Sequence, residues 1–132
     1  MPEIRINVHR TGDTASEGHV RGHRIVMDRP EEKGGSDRGP MGGETMLCAL
    51  GGCFMSNLMA AAQAREVDLG EVELDIVGTT GGTPPVYERI DMNVSAAGES
   101  LDKLVQIAER GCIVANTLKQ GLPVAIAVQP RR

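Results

Sequence analysis

A long apolar stretch in the first half of the chain constrains the fold more than any other feature. Residues 44–66 have the length and composition of a helix, and their centre, MLCALGGCFM, is apolar on every side. A helix that is apolar all round is expected to be buried all round. Ser56, Asn57 and Gln63 interrupt the stretch, which argues against a membrane span. A chain of 132 residues has difficulty enclosing such a helix alone, so we predict a homodimer.

The remaining pattern predicts a single α+β domain that covers residues 1–132. Short segments of alternating apolar and polar residues are typical of strands with one buried face. A second helix is predicted over residues 99–119, with Ser100 as its cap and Gly121 as its stop. The predicted strands are residues 4–8, 20–28, 72–76, 90–94 and 124–128, and one more strand is possible in the N-terminal region. Residues 29–43 are predicted to form a loop, and residues 78–85 the tip of a hairpin. We expect the helices to cover one face of an antiparallel sheet.

The composition excludes several classes of function. A net charge of −4, with one Phe, one Tyr and no Trp, leaves neither a basic surface nor rings for base stacking, so no nucleic-acid partner is expected. His9, His19 and His23 form no metal pattern with the cysteines, and residues 29–43 lack a phosphate-binding motif, so no metal or other cofactor is predicted. The polar N-terminus lacks the apolar core of a signal peptide, which predicts a cytoplasmic location.

The cysteines Cys48, Cys53 and Cys112 carry the most distinctive chemistry in the chain. Cys53 lies in the apolar helix, and Cys112 falls on the apolar stripe of the second predicted helix. If both helices pack on the same sheet, their two sulfurs can meet and cycle between dithiol and disulfide. Cys48 points about 140° away from Cys53 around the helix, so we expect it to fill the core. Core filling is also the competing interpretation for Cys53 and Cys112, because free cysteines often act as small buried hydrophobes.

The sequence around these cysteines resembles the OsmC/Ohr family of thiol-dependent hydroperoxide reductases. The segment GPMGGETMLCALGGCFMSNL has a Pro/Gly-rich loop followed by Glu-x-x-x-x-Ala-x-x-x-Cys, which falls here on Glu44, Ala49 and Cys53. The second signature, a cysteine followed by Pro-Val and later by Leu, is similar to the segment from Cys112 to Leu118. The resemblance covers nearly the whole chain. It implies an intertwined α+β homodimer with a long central helix and active sites at the subunit interface.

The resemblance also implies a reaction and a role for each cysteine. Cys53 would be the peroxidatic thiol, which attacks the terminal oxygen of an organic hydroperoxide, releases an alcohol and becomes a sulfenic acid. Cys112 would be the resolving thiol, which condenses with that sulfenic acid to form a disulfide. An external dithiol, of the lipoyl type by family resemblance, would reduce the disulfide again.

A buried thiol needs a group that lowers its pKa, because only the thiolate attacks. Cys53 lies beyond the first turn of its own helix, so its own helix dipole is too weak and a neighbouring cation is expected. In the family a Glu at the helix start holds an N-terminal Arg beside the cysteine. Four arginines are equal candidates here: Arg10, Arg21, Arg24 and Arg38. Glu44 stands one position closer to Cys53 than in the best-defined peroxidases, so it either faces the site or serves only the first helical turn, and Ile113 replaces a proline that is usual in the family.

Two further interpretations stay open from the sequence. A non-enzymatic protein of the same fold would bind a small apolar molecule or sense redox state, and the position of Glu44 and the unassigned Arg favour it. The third interpretation is a dimeric scaffold in which the thiols are purely structural. The matching pair, Cys53 and Cys112, within matching local sequence favours the peroxidase.

Overall fold

The strands in the N-terminal part form a three-stranded antiparallel sheet. The computed structural model describes residues 2–131, and the chain divides into two compact units, residues 1–49 and residues 50–132. The strands of the first unit pair in chain order and are β1 (Asn7–Arg10), β2 (Ser16–Val20) and β3 (His23–Met27). The extra N-terminal strand is therefore confirmed, whereas the first strand begins later than the predicted residues 4–8.

The strand predicted over residues 20–28 is confirmed as β3, but it begins only at His23, because a tight turn separates it from the end of β2. Arg21 and Gly22, between β2 and β3, have positive φ angles of 50° and 86°. Two consecutive left-handed residues make the turn whose twist matches that of a hairpin. Glycine adopts this conformation freely, so Gly22 is the local sequence signal for the turn.

The loop after β3 is organised by the buried carboxylate of Asp28. This carboxylate accepts hydrogen bonds from Thr14 Oγ1 at 2.7 Å and from the backbone N–H groups of Arg29 and Arg38 at 2.6 and 3.2 Å. The Thr14 hydroxyl, together with these N–H groups, holds the pKa of Asp28 below its usual range despite the opposing effect of burial. The predicted loop at 29–43 includes a 3₁₀ turn at Glu31–Lys33 and gives way to helix at Gly42.

The second unit contains a long hairpin and two short helices beside the main helix. Helix α1 (Gly42–Ala64) starts in the first unit and belongs to the second from Leu50 onward. The other elements are β4 (Glu73–Gly81), β5 (Val86–Ser95), α2 (Leu101–Gly111) and α3 (Ile113–Gln120). The α+β class and the antiparallel strands are confirmed. The single sheet is not, because β4 and β5 form a two-stranded sheet separate from that of β1, β2 and β3.

The core of the second unit consists of aliphatic side chains from α1 and α2 against the half-buried face of the hairpin. Leu58, Leu104 and Cys112 are the largest fully buried side chains. Leu74 and Met92 from the two strands pack against this cluster. The alternating strand pattern is thus confirmed, although the strands run further toward the tip than predicted, and only residues 82–85 remain outside them.

Helix α1 in the single chain is buried along one side only, contrary to the prediction of burial all round. Leu50, Phe54 and Leu58 are buried, whereas the side chain of Met59 is 54% exposed. Cys48 is exposed as well, so the prediction that it fills the core is wrong. By length and composition α1 could also cross a membrane. The core helices of water-soluble proteins meet the same criterion, and the buried residues of α1 belong to the core of the second unit.

The C-terminal segment has the sequence pattern of a strand but no regular secondary structure. Residues 122–131 are assigned to no helix or strand, so the predicted strand at 124–128 is wrong for the single chain. Val124, Ile126 and Val128 are 78%, 89% and 89% exposed. A strand forms only where a neighbouring strand accepts its backbone hydrogen bonds, and the described residues provide none at this segment.

Candidate active site

The predicted helix over residues 99–119 is broken at Cys112 into α2 and α3. Ser100 occupies the N-cap position of α2 with φ at 60°, but its side chain makes no capping hydrogen bond. Gly111 ends α2, and Cys112 leaves the helical region with φ at −81° and ψ at 103°. Glycine is a poor helix former, so Gly111 weakens the run of backbone hydrogen bonds within the helix at this point. Gly121 then stops α3 as predicted, with φ at 72°.

Cys112 is the N-cap residue of α3 and is fully buried. Its Sγ accepts a hydrogen bond from the backbone N–H of Ala115 at 3.5 Å, and its carbonyl oxygen accepts one from Asn116 at 3.0 Å. The side chain of Asn116 donates to the carbonyl oxygen of Arg110 at 3.0 Å, which satisfies a free acceptor at the end of α2. These hydrogen bonds stabilise the break, and they hold the Cys112 sulfur in the core.

Cys53 lies on α1, partly buried, directly opposite this break. It packs against the buried core cluster that contains Cys112, and the backbone N–H groups of Val114 and Ile113 and the thiol of Cys112 all influence its pKa. Asn57, one turn further along α1, donates to the Cys53 carbonyl oxygen at 2.9 Å and lies 3.9 Å from its sulfur. The structure thus brings together the two cysteines that the sequence analysis had paired.

The pKa values of the two thiols move in opposite directions from the ordinary value of a cysteine. Hydrogen bonds from Val114, Cys112 and Ile113, with Val114 the largest, lower the pKa of Cys53 although burial opposes them. Burial raises the pKa of Cys112, and the neighbouring Cys53 raises it further. Cys53 therefore ionises more readily than Cys112. This order of ionisation suits a pair in which Cys53 attacks and Cys112 reacts second.

The groups that lower the pKa of Cys53 are those that sequence reasoning missed. A cation was expected, but among residues 2–131 the lowering groups are the backbone amides at the start of α3 and the Cys112 thiol. Unpaired N–H groups at a helix N-terminus favour a negative charge. Gly111, directly before Cys112, is the local signal that could have indicated a helix break at this position.

The four arginine candidates all lie in the first unit, where three of them make contacts with neighbouring residues. Arg10 donates to the carbonyl oxygen of Gly12 at 2.8 Å, and Arg38 donates to that of Thr11 at 3.4 Å. Arg24 is 4.0 Å from the carboxylate of Glu17, and Arg21 occupies the β2–β3 turn. An arginine beside Cys53 stays a prediction.

Glu44 and the histidines have local roles or surface positions in the first unit. Glu44 accepts a hydrogen bond from the backbone N–H of Met41 at 2.8 Å, which satisfies one donor before the first turn of α1. An accessory role of Glu44 at Cys53 stays a prediction. His9, His19 and His23 are exposed. Across residues 2–131, no three His, Cys, Asp or Glu side chains cluster closely enough to bind a metal ion.

Comparison with the sequence models of known families shows the family to which the chain belongs. Residues 34–127 match the sequence model of a family described as OsmC-like protein. The chain belongs to the OsmC family. No curated protein matches the chain.

Solved structures with the OsmC fold resemble this OsmC-family chain over most of its length. An OsmC-like protein from Mycoplasma pneumoniae has a TM-score of 0.75 at 16% identity, over 89% of this chain and 88% of the other. A hypothetical protein from Aquifex aeolicus VF5 has a TM-score of 0.78 at 16% identity, over 91% and 89%. An organic hydroperoxide resistance protein from Elizabethkingia anophelis has a TM-score of 0.67 at 16% identity, over 89% and 90%. At such identities the likeness establishes the fold alone.

An apolar cavity of about 440 Å³ opens in the second unit of this OsmC-family protein, and neither Cys53 nor Cys112 lines it. Its apolar lining includes Phe54, which follows Cys53 in α1, and Ala115, whose N–H is bonded to the Cys112 sulfur. At the polar edge of the cavity, Glu109 forms an ion pair with Lys119. A cavity of this size and character is typical of sites for small, largely apolar molecules.

Proposed function

We propose that this OsmC-family protein is a thiol-dependent peroxidase that reduces organic hydroperoxides. The observation that carries the proposal is that Cys53 packs against the core cluster that contains Cys112, with the pKa of Cys53 lowered and that of Cys112 raised by their mutual proximity and surroundings. Structures of the same fold include proteins named for organic hydroperoxide resistance from Elizabethkingia anophelis and Legionella pneumophila. Their names support the reaction class, and the packing of Cys53 supports the roles of the two thiols.

The first step in the proposed reaction is attack by the Cys53 thiolate on the terminal oxygen of the hydroperoxide. A sulfur–oxygen bond forms, the oxygen–oxygen bond breaks, and the leaving alkoxide takes a proton to become an alcohol. Cys53 becomes a sulfenic acid, so the sulfur is oxidised by two electrons and the peroxide is reduced by two. The amides at the start of α3 favour this step because they stabilise the attacking thiolate.

The second step joins the two cysteines. Cys112 gives up its proton and attacks the sulfur of the Cys53 sulfenic acid, the disulfide forms, and the hydroxyl group leaves as water with that proton. An external dithiol, proposed to be of the lipoyl type, returns both sulfurs to thiols by disulfide exchange. The packing of Cys53 against the cluster that contains Cys112 supports this step.

Counting free thiols tests the proposed reaction. The reduced chain has three free cysteines, and one equivalent of cumene hydroperoxide is expected to remove two of them rapidly and leave Cys48 free. Excess dithiothreitol should restore all three. Loss of thiols no faster than that of a small-molecule thiol at the same pH would contradict the proposal.

We also propose that the protein works as a cytoplasmic homodimer in which each chain forms a single domain. The exposed side of α1 and the C-terminal segment support a dimer, since they leave Met59, Val124, Ile126 and Val128 more than half exposed. Scattered apolar residues are normal on a surface, but a contiguous apolar face indicates an interaction site. The covering partner is proposed to be a second copy of the chain, because the oligomers of soluble proteins are most often symmetric homodimers.

Light scattering should give a solution mass of two chains for the purified protein. Met59→Asp, which places a charge on the exposed side of α1, is expected to shift the protein to the mass of one chain at micromolar concentration. Gln106→Asp on the exposed face of α2 is the control, and it should leave the mass unchanged. A wild-type mass of one chain at high concentration would contradict the dimer.

A second candidate function, binding of a small apolar molecule without turnover, is favoured by the cavity of about 440 Å³. The cysteines would then report redox state or fill space. The thiol count separates the two functions. In hydroperoxide, a binding protein should lose its free thiols only as slowly as an ordinary buried thiol is oxidised. The peroxidase should lose two of them quickly.

A further inference from the structure

Asn57 places a polar side chain within the apolar helix α1, one turn after Cys53. Phe54 and Leu58 on the same helix are buried in the core, and Asn57 itself is half-buried. Asparagine is unfavourable in a helix interior, because its side chain competes for backbone hydrogen bonds. A half-buried amide also needs hydrogen-bond partners. The partners of this amide therefore indicate what the residue does.

The amide nitrogen of Asn57 faces Cys53. Its Nδ2 donates to the Cys53 carbonyl oxygen at 2.9 Å and makes a longer hydrogen bond of 3.9 Å to the Cys53 sulfur. An amide nitrogen carries two hydrogen atoms, so the bond to the carbonyl oxygen leaves one for the sulfur. The bond to the carbonyl oxygen also fixes the nitrogen beside the sulfur.

The amide oxygen of Asn57 faces Gly111, at the break between α2 and α3. A Cβ atom added at Gly111 would lie 2.7 Å from Asn57 Oδ1, closer than Cβ atoms normally approach another heavy atom. The missing side chain at Gly111 therefore leaves a gap that the Asn57 amide occupies. The amide thus lies between Cys53 and the residue that precedes Cys112.

We propose that the Asn57 amide, held in the gap at Gly111, is a catalytic donor that stabilises the Cys53 thiolate. The inference rests on the proposed function, because a donor to this sulfur acts in catalysis only if Cys53 is the nucleophile. The separation of 3.9 Å is long, so the contact contributes little to a neutral thiol. A thiolate attracts the donor more strongly, since hydrogen bonds to an ionised acceptor are shorter and about twice as strong as those between neutral groups.

The surroundings of Cys53 make the effect of this donor measurable. Among residues 2–131, Cys112 at the helix break is the titratable group that acts on Cys53. The side chains that the hairpin and α2 contribute to the adjoining core, such as Leu74 and Leu104, are aliphatic. Removal of the Asn57 amide changes no charge, so a shift in the ionisation of Cys53 would report the lost donor.

Two substitutions test the donor in different ways. Asn57→Ala deletes the amide, whereas Gly111→Ala retains it but places a Cβ atom against its oxygen. Ser56→Ala is the matched control, because it truncates an exposed polar side chain next to Asn57 on the same helix. All variants are made together with Cys48→Ser, which removes the exposed thiol.

The experiment measures the rate at which iodoacetamide alkylates Cys53 over a range of pH, without any peroxide, and peptide mass spectrometry identifies the modified cysteine. Each profile is scaled to its own plateau at high pH, where Cys53 is fully ionised. Asn57→Ala is expected to raise the pH at which the rate increases, because less of Cys53 is ionised without the donor. Scaled alkylation near neutral pH should be about three- to tenfold slower than in Ser56→Ala.

Gly111→Ala provides a second measurement through the same amide. Alone, it should shift the profile in the same direction as Asn57→Ala. Added to Asn57→Ala, it should cause no further shift, because the amide that it displaces is already absent. Thermal unfolding checks that each variant is folded, and if Asn57→Ala is not, the comparison of Gly111→Ala with Ser56→Ala decides.

Two results would overturn the inference. One is a scaled profile of Asn57→Ala that coincides with that of Ser56→Ala. The other is an equal shift from Gly111→Ala with and without Asn57, because the effect would then not pass through the amide. Since the assay contains no hydroperoxide, a shifted profile in a protein that consumes no hydroperoxide would support the amide's effect on the thiolate and contradict only the proposed function. An unshifted profile in an active peroxidase would contradict only this inference.

Discussion

Replacing Cys53 with serine is expected to lower the rate of hydroperoxide-driven thiol loss by about a thousandfold or more. The hydroxyl of serine is a far weaker acid than a thiol, and the amides of Ile113 and Val114 cannot make it an anion near neutral pH. Cys112 remains in the variant, but it is fully buried and its pKa is raised. It therefore cannot take over the first step. Stopped-flow mixing with cumene hydroperoxide and a thiol reagent measures the rate.

Two variants serve as controls for this result. Cys48→Ser should react at the wild-type rate, because Cys48 is exposed and outside the thiol pair. Cys112→Ser should keep the first step but accumulate the Cys53 sulfenic acid, which dimedone traps. A Cys53→Ser protein that still loses two thiols at the wild-type rate would assign the peroxidatic role to another cysteine.

Truncation of Leu104 is expected to have the largest effect on stability. Leu104→Ala should lower the free energy of unfolding by about 2–5 kcal/mol, which is typical of removing a leucine from a packed core. Leu104 is 1% exposed and belongs to the cluster that includes Leu58 and Cys112. Denaturant unfolding at fixed protein concentration measures the change.

Gln106→Ala on the same helix is the matched control. Gln106 is exposed, so its truncation should change the free energy of unfolding by no more than about 0.5 kcal/mol. If Leu104→Ala cost as little as Gln106→Ala, the core described between α1, α2 and the hairpin would be incorrect.

The sequence predicted the elements whose apolar residues repeat with a clear period. Alternation in residues 72–76 and 90–94 anticipated β4 and β5, and the stripe that contains Leu104, Ala108 and Cys112 anticipated the buried side of α2. The pairing of Cys53 with Cys112 followed from placing both on buried helix faces. Periodicity succeeds here because each of these segments buries one face against the same core.

Gly111 is a local signal for the helix break at Cys112, but the proximity of this break to Cys53 is tertiary and could not be predicted from local sequence. The N–H groups of Ile113 and Val114 lower the pKa of Cys53, which lies on a helix far earlier in the chain. No local sequence pattern indicates an interaction between the start of one helix and a residue on a distant helix. The same reasoning explains the C-terminal segment around Ile126, whose strand pattern requires a neighbouring strand that the described chain does not supply.

Peptide mapping of the protein after one equivalent of cumene hydroperoxide shows which cysteines form the redox pair. The remaining thiols are blocked, the chain is digested without reduction, and the disulfide-linked peptides are identified by mass spectrometry. We expect one dominant linkage, between Cys53 and Cys112 of the same chain, with Cys48 blocked as a free thiol. A linkage through Cys48, or no disulfide while the hydroperoxide is consumed, would contradict it.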